Sequence, residues 1–169
     1  MSTFHYFGTY HPLIAGRSGS DEHAIAEPAD TVPPPGPHDL DVWITEWQVA
    51  EDRTEISLGE QVEWMLVPMD QDWIDRLFAD RRHIQWQVDT YADVGRDPSD
   101  PREYVALTGR VSRIDQISVR YVQSEDPAVR GWVPVTGGAT EHSVLSFGTP
   151  RAHHGRLVGW IVRVQHEGC

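Results

Sequence analysis

Arg110, Arg113 and Arg120 follow one another closely, with Tyr121 beside the last of them. A guanidinium is a planar fork of five N–H donors, so three on one face would make a site for a carboxylate or another anion. Paired instead with the surplus acids around them, the same residues are surface ion pairs. Trp47 and Trp132 offer flat apolar walls for a ligand groove, whereas Trp43, Trp64, Trp86 and Trp160 alternate onto core-facing positions. Phe4, Tyr6, Phe7 and Tyr10 form an aromatic tip at the N-terminus, of the kind that docks on a partner or folds back on its own domain.

Other groupings do not complete a chemistry. His153 and His154 are neighbours, and "TPRAHHGR" supplies no carboxylate at ligand spacing, so no metal site is expected. "TEHS" sets Glu141, His142 and Ser143 side by side, but a triad needs side chains that converge, which consecutive residues rarely do. "VTGGATEH" lacks the lysine and helix of a phosphate cradle and reads as a hairpin turn. Asp93, Asp97, Asp100 and Glu103 do not have EF-hand spacing and read as a solvated acidic loop. No catalytic residue and no cofactor is assigned, and the balance favours a protein that is not an enzyme.

The charge agrees with that reading. Asp and Glu number 26 against 14 basic residues, a net charge of −12, which repels phosphate backbones and anionic membranes alike. An acidic surface suits a basic protein partner, as in inhibitor or immunity-type proteins. All the basic residues are Arg, and the absence of Lys and Asn points to a high-GC genome. The lone Cys169 gives no disulfide framework or thiolate cluster. No apolar run reaches the roughly 18 residues of a membrane span, and the N-terminus has no signal-peptide pattern, so a cytoplasmic location is expected.

Stepping from residues to elements, composition divides the chain into an aromatic segment 1–14, an acidic Pro/Gly-rich linker 15–41 and a β domain 42–169. "DVWITEWQVA" (41–50) reads as a strand, with Trp43, Trp47 and Val49 on one face and Val42 and Ile44 on the other. "LGEQVEWMLVP" (58–68) alternates Val62, Trp64 and Leu66, and Pro68 ends it. "MDQDWIDRLFADRR" reads as a helix capped by Asp70, with Trp73, Ile74, Leu77 and Phe78 as an apolar stripe that would plug a barrel. "HIQWQVDTYA" is a half-wet strand, and "YVALTGRVSRIDQISVRYVQ" a long hairpin turning at Asp115 and Gln116. "GWVPV", "SVLSFG" and "RLVGWIVRVQ" supply the last strands, the final one central or closing. Short strands with one helix and no βαβ rhythm predict a mainly β fold: a small antiparallel barrel or strongly bent sheet, SH3-like or OB-like, with glycines 59 and 109 at its bends.

The run of "VWITEWQ", "LGEQVEW", "DWIDRLF", "LTGRVSRID" and "LVGWIVRV" resembles an uncharacterised actinobacterial family of unknown function: a W-Q strand, a G-x-x-V-x-W strand and a late G-x-V strand. The likeness covers Val42 to Val164 and implies a β-barrel scaffold without a stated activity. Many members carry a Cys-Cys-Gly step after the W-Q pair. Here that stretch reads "VAEDRTE", so no thiol or metal role transfers.

Together these features predict an interaction or ligand-binding module with an acidic surface and a protein partner, possible oligomerisation through the N-terminal arm, and no nucleic-acid or membrane contact. Two alternatives stand beside it. One is a small-molecule binder or enzyme using an Arg/Trp-lined barrel mouth; the other is a structural subunit joined through its arm.

Overall fold

The computed structural model describes residues 32–89 and 103–166. Strand β1 (Asp39–Thr45) carries Val42 and Ile44 on one face and Asp41 and Trp43 on the other, and all four are buried. It begins inside the stretch read as linker. Just before it, the Pro33 carbonyl accepts a 2.9 Å hydrogen bond from Arg163 and the His38 carbonyl one of 2.8 Å from the His166 N–H, so this part lies along the domain.

The expected strand over 41–50 stops at Thr45. Helix α1 (Glu46–Asp52) follows, which takes Trp47 and Val49 out of the strand. The reason is local. Gln48 Oε1 accepts hydrogen bonds from the Thr45 N–H (3.0 Å) and hydroxyl (2.6 Å), an N-terminal capping arrangement, while Arg53 closes the helix in a left-handed conformation at φ 50°. Gln48 Nε2 then donates to the Val88 carbonyl, tying α1 to the barrel.

Strand β2 (Gln61–Pro68) begins three residues after its expected start and ends at Pro68 as expected, with Val62 and Leu66 inward. Helix α2 (Gln71–Phe78) is capped by Asp70, whose Oδ1 accepts from the N–H groups of Asp72 (3.0 Å) and Trp73 (3.3 Å). A 3₁₀ turn (Ala79–Arg81) leads to the short strand β3 (Trp86–Val88). Ile84, expected in that strand, precedes it and packs with α2 instead.

Strand β4 (Val105–Val119) is one continuous strand of 15 residues where a hairpin was expected. Asp115 and Gln116 do not turn the chain because both polar groups are satisfied within the strand. Arg113 Nε donates to both Asp115 oxygens (2.8 and 2.9 Å), and the Gln116 amide bonds the Arg151 carbonyl (3.0 Å) and N–H (2.9 Å). At Gly109 the neighbouring strand comes so close that a Cβ would strike the Gln165 carbonyl oxygen, and the register with β8 shifts between Val111 and Arg113 and again between Ile117 and Ser118.

Strands β5 (Tyr121–Gln123) and β6 (Trp132–Pro134) form a separate ribbon. Strand β7 (Thr140–Ser143) is the TEHS segment, so "SVLSFG" contributes only its first residue, Ser143, to the strand. The Gly137–Gly138 turn does not join a hairpin, since β6 pairs with β5 and β7 with β4. It docks on α2, where the N–H groups of Gly137 and Ala139 satisfy the carbonyls of Arg76 (2.8 Å) and Leu77 (3.1 Å). Strand β8 (Arg156–His166) is central, between β1 and β4.

The sheet order β2-β3-β1-β8-β4-β7 closes through an additional β2–β4 pairing, giving a barrel of β1, β8, β4, β2 and β3. The β1–β3 pair is parallel, which the antiparallel expectation did not contain. The parallel β1–β3 pair closes the barrel and sets it apart from an all-antiparallel meander. The barrel interior is filled by Val42, Ile44, Val62, Leu66, Val111, Ile114, Trp160, Val162 and Val164. A second core lies outside it: Ile74, Leu77 and Phe78 of α2 cover Trp43, Ile117 and Ile161. Helix α2 therefore packs on the barrel's outer face and does not plug it.

Candidate functional site

The outer face of β1 and β8 carries both a buried charged network and a cleft. Their register pairs Asp41 with Arg163, Trp43 with Ile161 and Thr45 with Gly159. Charges thus lie at one end, the α2-covered apolar core in the middle, and an open cleft at the other.

At the charged end, Arg163 forks onto Asp41 (Nε to Oδ1 2.7 Å, Nη2 to Oδ2 2.9 Å). Arg82 reaches in from beyond α2 to Asp41 (2.9 Å), Glu141 (2.6 Å) and Asp115 (3.6 Å), and Asp115 also binds Arg113. Three guanidinium groups thus meet three carboxylates. The Asp115 side chain is 1% exposed and that of Arg113, the most open of the six, 23%. The set is balanced and its partners face one another, so it serves as a polar core between β1, β4, β7, β8 and the segment after α2.

Burial pushes the Glu141 carboxyl above the usual carboxylate range; Arg82 offsets part of this, and the nearby Asp115 charge adds to the rise. A carboxyl whose folded pKa exceeds its unfolded one binds its proton more tightly when folded, so its contribution is favourable at low pH and is lost as pH rises through the folded value. Replacing Glu141 with Gln keeps an acceptor for Arg82 and removes the titration. Urea unfolding from pH 4.5 upward should show the wild type losing stability relative to Glu141→Gln as pH rises; parallel curves would show that Glu141 is not perturbed.

The cleft has a volume of about 370 Å³ and is lined by Thr45, Glu46, Trp47, Trp73, Tyr121, Arg156, Leu157 and Val158. Each comes from an element end. Thr45 closes β1, and its cap sets Trp47 on the first turn of α1, where the indole is 48% exposed. Trp73 projects from the first turn of α2, Tyr121 opens β5, and residues 156 to 158 open β8. The Arg156 guanidinium lies 6.0 Å from the centre of the Tyr121 ring, within cation–π range. Aromatic faces with one carboxylate and one guanidinium can stack a planar group and orient its charges.

The expected arginine site does not assemble. Arg110 donates to the Gly59 carbonyl (3.0 Å), Arg113 belongs to the buried network, and Arg120 is exposed. Trp47 and Tyr121 do meet, in the cleft. Trp132 is 71% exposed on the β5–β6 ribbon and does not line it. Phe4, Tyr6, Phe7 and Tyr10 lie outside the described residues, as do Asp93, Asp97 and Asp100. Glu46, Trp73 and Arg156 were not anticipated, because nothing in their local sequence sets them apart until β8 and the two helices meet. In TEHS, the Glu141 carboxylate is paired with Arg82. Among the described residues no three His, Cys, Asp or Glu side chains could hold a metal ion, and no helix is long and apolar enough to cross a membrane.

A family model described as a family of unknown function (DUF6578) matches residues 38–166. No curated protein and no solved structure matches the chain.

Proposed function

We propose that this chain, which belongs to the family of unknown function DUF6578, is a ligand-binding module whose site is the cleft at the β1–α1 junction. The observation that carries this reading is the convergence of Trp47, Trp73 and Tyr121, from three separate elements, around a cavity of ligand size. Two features argue against the alternative site at the barrel mouth. The interior is packed with aliphatic side chains and Trp160, and the three arginines expected there are dispersed.

Binding suits the cleft better than catalysis. Its polar lining, Thr45, Glu46, Tyr121 and Arg156, supplies one carboxylate and one permanent cation, a pair of opposite charges suited to orienting a ligand.

The test uses ligand-observed NMR with a panel of small aromatic compounds on the full chain. Several should receive saturation from the protein, and Trp47→Ala should cut that transfer at least several-fold while leaving the melting temperature within a few degrees, because Trp47 is half exposed. Equal transfer in Trp47→Ala, or none in the wild type, would contradict the site.

A second reading rests on the β5–β6 ribbon, where Trp132, Val122 and Val129 are exposed on a chain of net charge −12. That combination suits contact with a basic protein partner, with Trp132 as anchor. Capture of one stoichiometric basic protein that is lost in Trp132→Ala would support it, and unchanged capture would remove it.

A further inference from the structure

We infer that the cleft takes a small aromatic zwitterion of the α-amino-acid type, its ring against Trp47 and Trp73, its carboxylate on Arg156 and its ammonium on Glu46. The inference rests on the binding reading above and adds the class of ligand.

The two charges are the starting point. Glu46 and Arg156 line the same cavity, yet among the described residues neither belongs to an ion pair. This contrasts with the other end of the same face, where Arg82, Arg113 and Arg163 are all matched to carboxylates. Arg156 lies over the Tyr121 ring instead. At 6.0 Å from the ring centre the guanidinium has the ring as a neighbour while its planar fork of N–H donors stays available to a carboxylate. Glu46, in the first turn of α1, is half buried beside Trp47. A carboxylate next to aromatic faces is a receptor for an ammonium, which the rings attract through their negative faces as well.

A purely anionic ligand would leave Glu46 facing like charge, and a purely cationic one would leave Arg156 unmatched. A zwitterion satisfies both. The volume of about 370 Å³ lies near the small end of ligand sites and suits one amino-acid-sized molecule. Leu157 and Val158 add apolar surface for the ring, which favours an aromatic side chain over a polar one.

The test is isothermal calorimetry on the full chain with three probes that share a ring and differ in charge: L-phenylalanine, 3-phenylpropionate and phenethylamine. Phenylalanine should bind about tenfold or more tighter than either of the others, the contribution of one charge-assisted contact. Arg156→Gln should bring phenylalanine down to the level of phenethylamine without changing phenethylamine. Glu46→Gln should bring it down to the level of 3-phenylpropionate, with α1 still capped by Thr45 and Gln48. Arg120→Gln, an exposed arginine outside the cleft, should change none of the three.

If either singly charged probe binds as tightly as phenylalanine, or Arg156→Gln leaves phenylalanine binding unchanged, the zwitterion is wrong; the cleft stands as long as Trp47→Ala still abolishes binding. If none of the three binds at millimolar concentration while other aromatic compounds do, the ligand class falls alone. If nothing aromatic binds, both fall.

Discussion

Asp41→Ala is expected to lower the unfolding free energy by about 3–5 kcal/mol, the cost of breaking a buried ion pair by removing one partner. Asp41 accepts from Arg163 through both carboxylate oxygens and from Arg82 through one of them, in a pocket where the side chains of all three are less than a tenth exposed. Alanine would leave Arg163 with the Pro33 carbonyl as its short contact, at 2.9 Å, and Arg82 with Glu141 and Asp115. The orphaned guanidinium of Arg163 must then draw in water or stay unpaired, and either route costs more than the loss of a surface bridge. Equilibrium urea unfolding measures it, with Glu63→Ala on the exposed side of β2 as the comparison. A loss below about 1 kcal/mol, the range of exposed pairs, would mean that water already reaches the network.

The second large effect is expected at Gly159. It sits on β8 opposite Thr45, in the row between the apolar core and the cleft. A methyl group there would collide with the Ile44 carbonyl oxygen and come within 2.7 Å of Trp43 Cζ2. The first obstacle is backbone of the neighbouring strand. The second belongs to an indole that is 0% exposed and packed beneath α2, so neither yields without moving β1. Gly159→Ala should therefore cost about 3 kcal/mol, at the upper end of overpacking effects. Gly59→Ala serves as the contrast: at φ +85° it is strained for an L-residue, but nothing lies within 4 Å of its Cβ, so its cost is backbone strain alone, about 1 kcal/mol. Similar losses at both positions would show that the β1–β8 approach is looser than described. Because Gly159 lies between core and cleft, Gly159→Ala should also displace Thr45 and weaken ligand binding.

The scaffold was largely legible in the sequence, and the site only in part. Strand β2 and helix α2 could be read because alternation and the Asp70 cap are local signals. Trp43 and Trp160 were legible as core for the same reason. The end of β1 was misread because "TEWQVA" alternates polar and apolar residues as a strand would. Thr45 followed by Gln48 is a capping pattern, and it decides the matter for helix. Asp115 and Gln116 look like a turn only until their partners, the Arg113 side chain and the Arg151 backbone, are known.

Long-range geometry accounts for the rest. The charged network joins residues 41, 82, 113, 115, 141 and 163, which only barrel closure brings together. One hint was available: Arg163 interrupts the otherwise apolar centre of β8, where a charge must find a buried partner. The cleft needs β1, both helices, β5 and β8 in place before Trp47, Trp73, Tyr121 and Arg156 meet.

The most direct test of the central claim is a ¹H–¹⁵N correlation spectrum of the full chain titrated with L-phenylalanine. The cleft reading predicts saturable shifts in the indole N–H signals of Trp47 and Trp73 and in the backbone signals of residues 45–47 and 156–158, with the Trp43 and Trp160 indole signals unmoved. Shifts centred on Arg110 and Arg113 would contradict it, as would a spectrum left unchanged both by millimolar L-phenylalanine and by the other aromatic compounds of the panel.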